Sequence, residues 1–147
     1  MPNKDNVNIG NSGEYFVAGE LARRGFIVAV PMSNVENFDI LAIHRTTHKQ
    51  IAVQVKTTSK GQKKWTLSPK SENLIEDNVF YIFVSLNQLD IPSYHIVPSK
   101  IVAKTIRASH QTWLNTPNRK GGKHKDNSIR KFADENDEYL NRWDLLE

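Results

Sequence analysis

Residues 37–57 read NFDILAIHRTTHKQIAVQVKT, two apolar runs separated by a short polar one. Phe38–His44 and Ile51–Thr57 are rich in apolar and β-branched residues, and the polar Arg45–Gln50 is short enough to be the turn of a β-hairpin. Side chains alternate faces along a strand. Gln54 and Lys56 therefore share a face with Ala52, while Ile51, Val53 and Val55 take the other. A turn centred near Thr47 and His48 puts Asp39 opposite Lys56 or one step away, and such cross-strand neighbours lie about 5 Å apart. Asp39, Gln54 and Lys56 are then expected as one polar cluster on an otherwise apolar sheet. The competing explanation is a solvated edge strand, which often carries Lys. The apolar density of both runs favours central strands, where a carboxylate and an ammonium cost energy unless paired or liganded.

Upstream, Asn11–Arg24 reads as a helix with Asn11 and Ser12 as caps, Val17, Ala18 and Leu21 as its apolar stripe, and Gly25 as its stop. Glu14 lies on that stripe; the spacing from Asn11 also fits a capping box, and the two explanations stand level. Asn3–Gly10 reads as a loose polar lead. Phe26–Val30 is a short strand. Downstream, Trp65–Leu67 adds a strand, Ser71–Asp77 is loop or short helix, and the continuously apolar VFYIFVSL at Val79–Leu86 is a strand buried on both faces. Tyr94–Val97 is a further strand. Pro98 and Ser99 open a helix to about Asn115 with Ile101, Val102, Thr105 and Ile106 on one side. From Ser128 the chain reads as helical, ending in the amphipathic Tyr139, Leu140, Trp143 and Leu146. Helix, strands, then helices is the order of an α/β or α+β layered protein.

Composition narrows the chemistry. A chain of 147 residues with 38% hydrophobic and 24% charged residues is long and apolar enough for one domain with its own core. The absence of cysteine excludes disulfides, thiolate metal sites and cysteine nucleophiles. No apolar run approaches the roughly 18 residues that span a bilayer, and the polar start lacks a secretory core, so a cytoplasmic protein without membrane association is expected. The net charge of +4 is mild. Its distribution is more telling: Lys60, Lys63 and Lys64 cluster after the hairpin, and RKGGKHKDNSIRK at Arg119–Lys131 holds Arg119, Lys120, Lys123 and Lys125 around a Gly-Gly pair. Both clusters could track phosphates; a solvated loop explains the second equally well. The five histidines form no ligand set, and no P-loop, dinucleotide fingerprint or nucleophile elbow occurs. Thr57 and Thr58 have no neighbouring His to activate them. Trp65, Trp113 and Trp143 read as core or interface anchors.

The phrases GEYFVAGELARRGFIV (Gly13–Val28), NFDILAI (Asn37–Ile43), QIAVQVKT (Gln50–Thr57), FYIFVSL (Phe80–Leu86) and SYHIVPS (Ser93–Ser99), in this order and spacing, resemble the PD-(D/E)XK nuclease superfamily. They are most similar to its small restriction-endonuclease-like and Holliday-junction-resolvase-like members. The resemblance covers residues 10–106, and the segment after Asn115 matches nothing in it. It implies an α/β fold: a restriction-endonuclease-like mixed β-sheet core of four to five strands flanked by an N-terminal helix and C-terminal helices. Residues 10–115 would be the nuclease-like domain, with 116–147 a basic loop and helical extension of the same domain.

The resemblance also implies roles. Asp39 matches the metal-binding aspartate, Lys56 the motif lysine and Glu14 the helix glutamate of the resolvase-like branch. Gln54 stands where Glu or Asp is usual, a departure that some members share; its amide oxygen can ligate a hard cation but brings no charge. The expected cofactor is Mg²⁺, with Mn²⁺ able to substitute, on Asp39, Gln54, the Val55 carbonyl and Glu14. The expected activity is cleavage of DNA, with Lys60, Lys63, Lys64, Arg119, Lys120, Lys123 and Lys125 contacting it. The alternatives are a decayed module of the same fold that binds nucleic acid or a protein, and an RNA nuclease, since phosphate contacts do not distinguish the two nucleic acids. A homodimer is expected, joined through the C-terminal amphipathic segment.

Overall fold

The structure is a computed structural model that describes residues 4–31 and 38–147; residues 1–3 and 32–37, including Asn37 of the NFDILAI phrase, lie outside the described set. The chain forms α1 (Lys4–Arg23), β1 (Phe26–Ala29), β2 (Ile40–His44), β3 (Gln50–Thr58), β4 (Lys64–Leu67), β5 (Val79–Ser85), β6 (Ser93–Pro98), α2 (Ser99–Asn115) and β7 (Arg130–Ala133). Single 3₁₀ turns follow β4 at Pro69–Glu72 and close the chain at Trp143–Leu146. Among the described residues no helix is long and apolar enough to cross a membrane.

Five strands make one mixed sheet in the order β1-β2-β3-β5-β6. Only the central pair, β3 and β5, runs parallel; the others are antiparallel. β5 is buried at every position, which explains why its sequence does not alternate. On one face α1 delivers Val17 and Leu21 to a core with Ile40, Val53, Val55, Ile82 and Ile96. On the other, α2 delivers Val102 and Ile106 to a core with Tyr81, Phe83 and Val97. The second core is closed by a small sheet of β4 and β7, whose Trp65 and Phe132 pack against the Phe83 ring from 5.0 and 4.7 Å.

The expected α/β core with a mixed five-stranded sheet is present, and three expectations change. First, α1 begins seven residues early, at Lys4 rather than Asn11, so the loose lead is helical. Ser12 Oγ donates back to the Asn8 carbonyl instead of capping. Glu14 is therefore mid-helix, which removes the capping explanation for it. Second, the hairpin register is Ile40↔Val53 and Ile43↔Gln50. His44 and Lys49 close a loop in which His48 takes a left-handed φ of 61°, a region His tolerates better than most residues. The turn sits one residue earlier than the sequence reading placed it, and Asp39 bonds Val53 and Val55, the latter one step from Lys56.

Third, the C-terminal helices from Ser128 are not formed. Arg130–Ala133 alternates buried and exposed positions as β7, paired with β4. Beyond it, Asp137 and Asn141 adopt left-handed backbones of φ 55° and 54° that interrupt any helix. The Asp134 carboxylate accepts the Glu138 and Tyr139 N–H groups and shapes the turn instead. Trp143 and Leu146 are buried in the α1-side core of their own chain, so the C-terminal segment is not a free dimer face.

Candidate active site

The site forms where β2 and β3 separate. The Asp39 N–H donates to the Val53 carbonyl at 2.9 Å. The Asp39 carboxylate adds a side-chain contact to the same strand: the Val55 N–H donates to Oδ2 at 2.8 Å. In a strand the N–H and C=O of one residue point to the same side. The Val55 carbonyl therefore faces the same notch as Asp39.

Glu14 reaches the notch because α1 lies very close to β3. The contact is made at Gly13, which is buried; a Cβ there would fall 1.8 Å from Thr57 Oγ1. Only glycine allows this approach, and it holds the next residue, Glu14, beside the splayed edge. Glu14 is half-buried, and its carboxyl pKa is raised above the usual glutamate value, first by burial and second by the negative charge of Asp39. Among the described residues neither carboxylate forms an ion pair with a lysine or arginine.

Gln54 and Lys56 leave β3 on the α2 side, next in register to Tyr81 and Phe83 of β5. Both are half-buried and both line a cavity of about 190 Å³. The structure thus gathers Glu14, Asp39 and Val55 at the notch, with Gln54 and Lys56 flanking it on the same strand. Sequence reasoning missed the other cavity residues, Ser68, Lys70, Ser71 and Tyr81. Nothing in the order of residues marks them, because Ser68–Ser71 reach the site only through the crossover from β4 to β5.

Two mutually repelling carboxylates, an amide oxygen and a carbonyl are hard oxygen donors. Mg²⁺ suits one or two carboxylates with retained waters, so the set fits that ion. Among the described residues no group of three His, Cys, Asp or Glu side chains could hold a metal, which leaves two carboxylates as the charged ligands.

The basic residues scatter. The Lys63 ammonium pairs with Asp137 at 2.7 Å, and that hydrogen bond raises its pKa. Lys64 is carried away by β4 to a different cavity, with His110, Trp113 and Arg130. Neither lines the cavity of Gln54 and Lys56. Lys60 is exposed in the loop after β3. Arg119, Lys120, Lys123 and Lys125 are exposed on a loop braced by Asn118, whose Oδ1 accepts the Lys120 and Gly122 N–H groups. Trp65 is core, its Nε1–H donating to the Val84 carbonyl. Trp113 stacks on His124 and Trp143 lies under Arg24, so none of the three indoles stands open.

No protein-family model matches the sequence, and no curated protein matches it. Solved structures do. The chain is similar to a bacterial homing endonuclease, I-Ssp6803I, with a TM-score of 0.57 and 12% identity over 99% of this chain and 92% of that one. It is also similar to Hjc, a Holliday junction resolvase from the archaeal hyperthermophile Archaeoglobus fulgidus, with a TM-score of 0.50 and 13% identity over 85% of this chain and 84% of that one. Both have the restriction-endonuclease-like fold, and this chain shares that fold.

Proposed function

We propose that the protein is a Mg²⁺-dependent nuclease that hydrolyses phosphodiester bonds in DNA, Mn²⁺ serving in place of Mg²⁺. The observation that supports the reading is the Asp39 carboxylate held by the Val55 N–H beside a half-buried Glu14 carboxyl whose pKa is raised by burial first and by the Asp39 charge second. Carboxylates placed to repel each other, with no basic partner among the described residues, are an arrangement that a divalent cation relieves. The cation would be held by Asp39, the Gln54 amide oxygen and the Val55 carbonyl, with Glu14 completing the set. When bound it supplies positive charge to the scissile phosphate and acidifies water.

The chain's own residues do the rest. Lys56 orients the attacking water and faces the charge that gathers on the phosphoryl oxygens. Glu14 accepts a hydrogen bond from that water and receives its proton as the new P–O bond forms. The P–O bond to the leaving sugar oxygen breaks, and that oxygen takes a proton from solvent. With two carboxylates at the notch, a single-ion site is favoured over a two-metal clamp. A homodimer would give each strand of a duplex its own site; sedimentation of the full chain tests it.

Nicking of supercoiled plasmid with Mg²⁺ or Mn²⁺, beside EDTA and Lys56→Ala controls, tests the reading. Metal-dependent nicking lost in Lys56→Ala is expected; an active Lys56→Ala protein would sink the mechanism. The neutral Gln54 supports a second reading, a decayed module of the same fold that binds nucleic acid or protein. Gln54→Glu separates the two: in a live site it tightens metal binding and lowers the Mg²⁺ needed for cleavage. RNA in place of plasmid tests the ribonuclease alternative.

A further inference from the structure

α1 starts at Lys4, well ahead of the part that packs on the sheet, and Lys4–Asn8 are all exposed. The packed side of the helix is Gly13, Val17 and Leu21, which are buried. Lys4, Asn8, Asn11 and Tyr15 follow one another at spacings of four, three and four residues. At 3.6 residues per turn they fall within about 60° of one another, on the side away from the sheet. All four are exposed, Tyr15 by 72%. Among the described residues none of their side chains makes a hydrogen bond, an ion pair or a ring contact; Ser12 bonds the Asn8 backbone, not its amide side chain. Asparagine is a poor residue for a helix interior, so Asn8 and Asn11 weaken α1 with no compensating bond among the described residues. The stripe carries one cation and no acid. Asp5, Glu14 and Glu20 fall to its sides, and Glu20 is paired with Arg23 and Arg24. The helix dipole adds positive charge at the Lys4 end. Glu14 lies about a quarter-turn from the stripe, so the stripe runs up to the notch.

We infer that this face of α1 reads duplex DNA. It lies in the major groove, where Asn8 and Asn11 hydrogen-bond base edges, Lys4 contacts a backbone phosphate and the Tyr15 ring makes apolar contact. A major groove about 12 Å wide admits an α-helix, and an Asn amide matches the N6 and N7 groups of adenine with one acceptor and one donor. A positive stripe without acids fits a polyanion, and its continuity with Glu14 brings the bound duplex to the notch. The choice of partner rests on the nuclease reading. Asn8 and Asn11 are specificity-determining residues here, with no catalytic role.

The test uses the full chain in EDTA, so that binding is read without cleavage. A DNA duplex pool randomised over its central positions is bound, recovered and sequenced with wild type, with the double variant Asn8→Ala/Asn11→Ala and with Lys4→Ala. Wild type should enrich adenine at two positions a fixed short distance apart. The double variant should lose that enrichment and bind the enriched duplex about tenfold more weakly. It should melt no lower than wild type, since alanine is the better helix former; a purely structural role for the two asparagines predicts a lower melting temperature and unchanged enrichment. Lys4→Ala should keep the enriched sequence and lose about 0.9 from the slope of log K against log salt, the loss of one phosphate contact. An RNA duplex of the enriched sequence should bind wild type and the double variant alike, because its deep, narrow major groove does not admit the helix.

No enrichment by wild type, enrichment unchanged in the double variant, or an equal loss on the RNA duplex overturns the major-groove reading. DNA affinity that none of these substitutions changes, Tyr15→Ala included, overturns this face as a nucleic-acid surface. Cleavage enters none of these outcomes. A wild type that enriches adenine but cuts nothing sinks the nuclease mechanism and keeps the reading helix; one that cuts plasmid but enriches nothing does the reverse.

Discussion

Glu14 is the residue whose stability and function should separate. Its pKa is raised in the folded chain by burial and by Asp39. A carboxyl that binds its proton more tightly when folded lowers stability as pH rises through the interval between its ordinary and its raised pKa, and the loss persists above that interval. Glu14→Gln removes this liability. At pH 7 without divalent ions the variant should melt higher than wild type, the difference shrinking as pH falls below the ordinary glutamate range. Mg²⁺ should raise the melting temperature of wild type more than that of Glu14→Gln, and the variant should lose cleavage. A lower melting temperature for Glu14→Gln at pH 7 would contradict this account. Asp39, Gln54 and Lys56 were legible because strand alternation forces Gln54 and Lys56 to one face. What was not legible was that the Asp39 carboxylate accepts the Val55 N–H, since that depends on the register between β2 and β3.

At the scale of elements, the placement of α1 on β3 turns on Gly13. Glycine inside a helix costs about 1 kcal/mol relative to alanine, so Gly13→Ala should stabilise an isolated α1. In the folded chain the new Cβ would meet Thr57 Oγ1 at 1.8 Å. Overpacking of this kind costs about 1–3 kcal/mol, so the clash outweighs the propensity. Gly13→Ala is expected to lower stability measured by denaturant and to reduce cleavage by lifting Glu14 from the notch. Gly19 of the same helix has open space around its Cβ position, and Gly19→Ala should stabilise with cleavage intact. An equal response of the two variants would remove the close-approach argument. Sequence reasoning found the apolar stripe of α1 but not its start, because residues 4–10 carry little apolar signal and are held by continuation of the helix.

At the scale of the whole molecule, the last fourteen residues carry Asp134, Trp143 and Leu146 into the interior. His95, 1% exposed, shares a 2.7 Å hydrogen bond with Asp134, and Asp134 also anchors the turn that delivers Trp143 and Leu146 beneath the sheet. Leaving one partner of a buried hydrogen bond unsatisfied costs about 1–3 kcal/mol. Asp134→Ala should lose stability on that scale in denaturant unfolding, while a chain ending before Asp134 should fail to give a cooperative transition at all. A truncated chain that melts cooperatively near the wild-type temperature would refute this. The amphipathic pattern at Tyr139–Leu146 was visible in the sequence, yet the apolar residues serve the chain's own core, as left-handed backbones at Asp137 and Asn141 fold the segment back.

By itself the sequence determined the sheet's central strands, the helix after Pro98 and the shared face of Gln54 and Lys56, because hydrophobic periodicity and strand alternation are local properties, whereas the roles of Glu14, Asp39, Gln54 and Lys56 came from the family resemblance. Tertiary structure alone decided the hairpin register, the pairing of β4 with β7 and the cavity that joins Lys70 to Lys56. Those features depend on contacts between residues far apart along the chain: Trp65 and Phe132 close on Phe83 across the sheet, and no local pattern encodes which distant partner a short strand will find.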